Sequence, residues 1–99
     1  MLRPGFFAQG LKLLAPTRSQ TDVQDNAVIQ LENPRQRWLM ASYGAKGSQQ
    51  TEHCAEQTSQ GTQLACPLPG TGTYDVQLFT GDQQYGQYEY VGQLEFNKG

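Results

Sequence analysis

The chain has 99 residues and 11.0 kDa, with 36% hydrophobic residues, a mean hydropathy of −0.65 and a formal net charge of −2. One ordinary domain fits that length. No stretch approaches the roughly 20 apolar residues of a membrane helix, and apolar clusters such as Leu13-Leu14-Ala15 fall far short of it.

Leu, Ile, Val and Phe total only 19, a number that alone would indicate disorder, but ten aromatic residues and the weak net charge argue against it. The polarity is uncharged, with 15 Gln residues, and 11 Gly and 5 Pro break the chain as short strands joined by turns require. Charge is uneven. Residues 1–49 carry six basic and three acidic side chains, and residues 50–99 carry one basic and six acidic. A nucleic-acid site needs a contiguous basic surface. Arg35 and Arg37 are the only close basic pair and have no stacking aromatics beside them, so no nucleic-acid partner is expected.

The start, Met1 to Phe7, lacks the apolar stretch and cleavage site of a signal peptide. Pro4-Gly5 and Lys98-Gly99 read as cuts through linkers, so residues 1–99 are expected to be one module of a longer chain. Strand alternation then fits better than helical spacing throughout. A first strand is expected at 10–15, ended by Pro16, and a second at 27–32 with Ala27, Ile29 and Leu31 on one face. The third, at 37–43, sets Trp38, Met40 and Ser42 against Leu39, Ala41 and Tyr43. A polar fourth strand is expected at 49–54 and a fifth at 62–68, where Pro67 demands an edge or an end. The sixth, at 73–79, places Tyr74, Val76 and Leu78 together, and the seventh, at 87–97, gives Tyr88, Tyr90, Gly92, Leu94 and Phe96 one parity.

Seven short strands at this spacing predict an all-β, antiparallel immunoglobulin-like sandwich, with a closed barrel as the rival. Trp38 occupies the strand where such sandwiches often bury a tryptophan. Tyr74, following Pro69-Gly70, has the position of a tyrosine corner, whose hydroxyl bonds backbone a few residues upstream. Simple core packing would account for either residue.

Cys54 and Cys66 are too few for a zinc site even with His53, and their spacing is not that of a redox C-x-x-C pair. A disulfide across a hairpin or between adjacent segments is the better reading, and two reduced, half-buried thiols the other. Oxidation would place the protein outside the cytoplasm, in a periplasmic or secreted setting.

Phe6-Phe7, Gly10-Leu11-Lys12-Leu13-Leu14-Ala15-Pro16, Trp38-Leu39-Met40-Ala41 and the run from Leu68-Pro69 to Gly72-Thr73-Tyr74-Asp75-Val76-Gln77-Leu78-Phe79 together resemble one accessory module. It is the immunoglobulin-like module that follows the catalytic domain in transglutaminase-like proteins of the kyphoscoliosis peptidase kind. The likeness spans residues 6–97. It implies an accessory domain. The family's Cys-His-Asp triad lies in the catalytic domain, so no catalytic residue carries over to this chain.

The residues independently offer little chemistry. His53 and Cys54 are neighbours on a strand and point to opposite faces. Glu89 and Glu95 lie about 20 Å apart along an extended strand, too far for a two-carboxylate glycosidase. Asp22 and Asp25 read as a solvated turn, and Gly44 to Gly47 lacks the strand-to-helix context of a phosphate loop. No enzyme activity, cofactor or metal is expected. The candidate ligand contact is Tyr85 with Gln83, Gln84 and Gln87 in the last loop, whereas Tyr88 and Tyr90 are expected in the core by parity. The expected function is a non-catalytic accessory or protein-interaction module, its partner a neighbouring domain of the same chain or a separate protein. The alternatives are a carbohydrate-binding module, with a glycan on the Tyr85 loop, and a sandwich-type cysteine protease inhibitor using residues 81–86 as a wedge.

Overall fold

A computed structural model describes residues 7–8, 10–17, 20–54 and 60–99. The Pro4-Gly5 linker motif, Phe6 and the polar segment 55–59 lie outside the described residues. The strands are β1 (Phe7–Ala8), β2 (Leu11–Ala15), β3 (Gln20–Val23), β4 (Asn26–Glu32), β5 (Trp38–Ala45), β6 (Glu52–His53), β7 (Gln63–Pro67), β8 (Gly72–Gly81) and β9 (Glu89–Lys98). They form a four-stranded sheet, in the order β1-β2-β4-β7, and a five-stranded sheet, in the order β3-β9-β8-β5-β6.

The cause is the two-residue period of the side chains. In β4, Ala27, Ile29 and Leu31 are buried and their neighbours exposed. They face Leu39, Ala41, Val76, Leu78, Leu94 and Phe96 of the other sheet in a single core, joined by Leu11 and Leu13 of β2. Fully burying such a side chain contributes about 1.5–3 kcal/mol. The partition of strands, β2, β4 and β7 against β5, β8 and β9, is that of an immunoglobulin-like β-sandwich.

Nine strands replace the expected seven among the described residues. The two additions are the short β1, which pairs antiparallel with β2, and β3. Gly10 lies in the turn before β2 at φ +83, and a Cβ there would stand 3.0 Å from the Arg35 side chain. The chain then leaves one sheet and enters the other through Pro16, so β3 runs parallel to β9. The sandwich is therefore antiparallel with one parallel pair, and Asp22 lies in a strand rather than in the expected turn. The expected fourth strand shrinks to β6, whose two residues pair with Ser42 and Tyr43. Pro67 ends β7, which is an edge strand.

Trp38 is a correction. It is only half-buried, and Leu39, with no exposed surface, takes the inward position. Because successive side chains alternate, Leu39 and Ala41 facing inward send Trp38 and Met40 to the outer face. At the other end of the sandwich the Tyr74 hydroxyl donates to the Gly70 carbonyl, four residues upstream, at 3.0 Å. Its ring meets that of Tyr43 edge to face, with centroids 6.1 Å apart.

Cys54 and Cys66 form a disulfide, with Cα atoms 4.6 Å apart and both residues buried. Cys54 follows β6 and Cys66 lies in β7, which are edge strands of opposite sheets. The bond therefore spans the two layers rather than a hairpin. At the far end of the β4–β7 pair, Asn33 is buried and its Nδ2 donates to the carbonyls of Arg37, Gln60 and Gly61, while its Oδ1 accepts from the Arg37 amide. A backbone bond from Leu31 to the Thr62 carbonyl continues this seam.

Closing a loop of this size stabilises a domain by about 3 kcal/mol, on the chain-entropy view. Reduction should therefore lower the thermal midpoint by on the order of 10 °C, read by scanning calorimetry with and without reductant. Tyr74→Phe should cost about 1–3 kcal/mol in urea unfolding, because the Gly70 carbonyl loses its donor. A change within about 0.5 kcal/mol would show that the hydroxyl does not hold the corner.

Candidate functional site

Two adjoining surfaces gather the polar and aromatic side chains left over by the core. The first is the end of the sandwich where the β4–β5 turn meets the β8–β9 loop. Gln36 adopts φ +50 in that turn, bringing Arg37 to the start of β5. Arg37 is 13% exposed; its Nε donates to Thr80 Oγ1 at 3.2 Å, its Nη1 pairs with Asp82, and its Nη2 lies 3.9 Å from Glu89. Thr80 is fully buried and donates in turn to the Trp38 carbonyl at 3.0 Å. One hydroxyl thus ties both loops to the body of the sheet. A polar cleft of about 540 Å³ opens here, lined by Arg35, Arg37, Thr80, Asp82, Gln87, Tyr88 and Glu89.

The expected contact residues divide. Gln87 lines the cleft, while Tyr85 stands 82% exposed in the loop whose limbs form one wall. Gln84 gives its carbonyl to the Tyr88 hydroxyl at 2.9 Å, which ties the loop back on itself. Gln83 is exposed beside Gly86. Tyr88 lies over Gly81, where a Cβ would meet the ring at 3.3 Å and the Gln87 carbonyl at 3.0 Å. Tyr88 is therefore half-buried at the cleft and not part of the expected core row.

The second surface is the outer face of the five-stranded sheet. Met40, Phe79 and Tyr90 lie opposite one another across β5, β8 and β9, and Trp38 lies one step along β5. Tyr90 is 55% exposed and its ring meets Phe79 edge to face at 5.8 Å. Its expected inward position is overturned by a bulge. Leu78 pairs with Gly92 and Phe79 with Tyr90, so Val91 is the extra residue and parity reverses before it. Beyond this aromatic row come Gln77 and Gln93, then Asp75 beside Glu95, which pairs with Lys46 at 2.8 Å. Glu89 and Glu95 belong to these separate surfaces and do not converge.

The remaining reactive pairings disperse. Cys54 holds no free thiol for His53 to activate. Among the described residues no group of three His, Cys, Asp or Glu converges as a metal site would require. Arg37 is committed to acidic partners, which separates it from Arg35 as a basic pair. Comparison with protein-family models, curated proteins and solved structures finds no match to this chain. The resemblance to the transglutaminase-like accessory module rests on its sequence motifs.

Three groups on the five-stranded sheet hold their protons more tightly than usual. Tyr43 is raised by donating to Glu52, then by burial and neighbouring charge. Lys46 is raised by Glu95, and Tyr90 by burial and then by Asp75. Each is protonated more fully in the folded chain than in the unfolded one as pH passes the ordinary values. Their contribution is complete below those values and lost above them. The urea midpoint should accordingly fall between about pH 9 and pH 12, and less steeply in Tyr43→Phe. An identical slope in that variant would remove Tyr43 from the account.

Proposed function

We propose that this domain is a non-catalytic, immunoglobulin-like accessory module of an extracytoplasmic protein, which binds a protein partner through the outer face of its five-stranded sheet. The partner is a neighbouring domain of the same chain or a separate polypeptide. The observation that carries this reading is the row Trp38, Met40, Phe79 and Tyr90 on the outer face of the sheet, in which Tyr90 is 55% exposed and the other three are half-buried around it. Trp, Tyr, Phe and Met are the residues enriched at the centres of protein interfaces, and clustered apolar exposure marks an interaction surface. The polar rim, Gln77, Gln93 and Asp75, suits such a centre.

The edge-to-face meeting of Phe79 and Tyr90 does not offer two coplanar ring faces, which favours protein over sugar on this surface. A protease-plugging wedge is less well supported. The loop at 81–86 is fastened by Arg37–Asp82 and Tyr88–Gln84 rather than projecting freely. The disulfide supports an oxidising compartment. The motif resemblance supports a place beside a transglutaminase-like catalytic domain.

Photo-crosslinking tests this reading. A benzophenone side chain replacing Tyr90 should capture a discrete protein from the native compartment, and excess unlabelled domain should compete it away. The same group at Val28, exposed on the opposite sheet, should capture nothing comparable. Equal capture at both positions, or competition that fails, would overturn the reading. Tyr90→Glu should abolish competition while changing stability by no more than about 0.5 kcal/mol.

A further inference from the structure

The cleft at the loop end stands apart from the aromatic sheet face, and its chemistry differs. Its volume of about 540 Å³ falls within the roughly 300–1,000 Å³ of small-ligand sites. Its charges cancel, Arg35 and Arg37 against Asp82 and Glu89. An ion of either sign meets two repulsive groups there, whereas a neutral ligand meets donors and acceptors on every side. Guanidinium and carboxylate groups are planar and can each engage two adjacent hydroxyls, through charge-assisted bonds stronger than neutral ones.

Preorganisation adds to this. Arg37 is held by Thr80, Asp82 and the sheet behind it, so little side-chain freedom is lost when a ligand arrives. Asp82 and Glu89 are 82% and 52% exposed in their side chains, leaving carboxylate surface for a ligand. Tyr85 supplies the independent observation. At 82% exposure it is the most exposed large hydrophobic side chain among the described residues, and it lies in the loop that walls the cleft.

We propose that this cleft binds a neutral saccharide. Asp82, Glu89 and Gln87 accept from and donate to its hydroxyls, Arg35 and Arg37 donate to its oxygens, and Tyr85 covers the apolar face of a pyranose ring at the cleft mouth. An aromatic ring there gives contact area at low cost in side-chain entropy.

The test is titration of the ¹⁵N-labelled domain with cellohexaose, maltohexaose, mannohexaose and N-acetylchitohexaose, with a heparin hexasaccharide in parallel. At least one neutral sugar should shift the amides of residues 35–37 and 80–89 saturably at millimolar concentration. Tyr85→Ala and Gln87→Ala should each weaken that binding about tenfold, equivalent to about 1.4 kcal/mol. Thermal midpoints near that of the parent domain would verify that both variants stay folded. Saturation by heparin alone would overturn the proposal and make the cleft an anion site. Shifts confined to Met40, Gln77 and Phe79 on the sheet face would overturn it too, as would no saturable shift with any neutral sugar. Only the sheet-face outcome touches the surface tested by crosslinking at Tyr90; heparin binding in the cleft, or no sugar binding at all, leaves that reading standing, so the two fail separately.

Discussion

The covalent bond between Cys54 and Cys66 fixes the open side of the sandwich, and much of the architecture follows from it. The two sheets meet through a thin layer of mostly aliphatic side chains. At this side β6 contributes only two paired residues, whereas β7 pairs with β4 over its five residues and ends at a proline. The disulfide joins these two edges, and the Cys54 amide adds a bond to the Ala41 carbonyl. At the other end of β4 Asn33 spreads its amide over three carbonyls, binding the β4–β5 turn to residues 60–61. The opposite side needs no such clamp, because the chain itself passes between layers from β2 to β3.

That arrangement determines what is left for the surface. Leu39, Ala41, Leu78, Leu94 and Phe96 fill the space between the layers, while Trp38, Met40 and Phe79 of the same sheet turn outward. The bulge at Val91 completes the effect by moving Tyr90 to the side of Phe79. One sheet thus carries a largely aliphatic inner row, closed by Phe96, and an outer row in which Trp38, Phe79 and Tyr90 gather. At its end, the buried Thr80 hydroxyl connects that sheet to Arg37 and so sets the width of the polar cleft.

The sequence made the sandwich legible because strict alternation in β4 and β8 leaves only one face for a core. The tyrosine near Gly70 and the cysteine spacing were readable for the same reason, since each is a local pattern with a short-range partner. Trp38 was misjudged because its strand alternates between two apolar rows, and nothing local says which row turns inward. Tyr90 was misjudged because a bulge shifts parity without leaving a glycine or proline at the extra residue. The cleft was half visible. Gln87 and Tyr85 stood out in a polar loop, but Arg37, Thr80 and Asp82 come together only through pairing of strands 43 and 45 residues apart in sequence.

The parallel pairing of β3 with β9 has a mechanical consequence. In this ladder Gln20 to Val23 lie beside Glu95 to Lys98 and point the same way. Tension that enters through β3 from its amino-terminal side and leaves through β9 at its carboxyl-terminal side acts along the strand axes. All the bonds of the ladder are then loaded together in shear, instead of being peeled apart one after another as in a hairpin pulled at its ends. The side chains reinforce the junction, with Asn97 donating to Asp22 across it and Gly99 bonding the Val23 carbonyl. A domain joined to its neighbours through these two strands resists stretching along that line far better than across it.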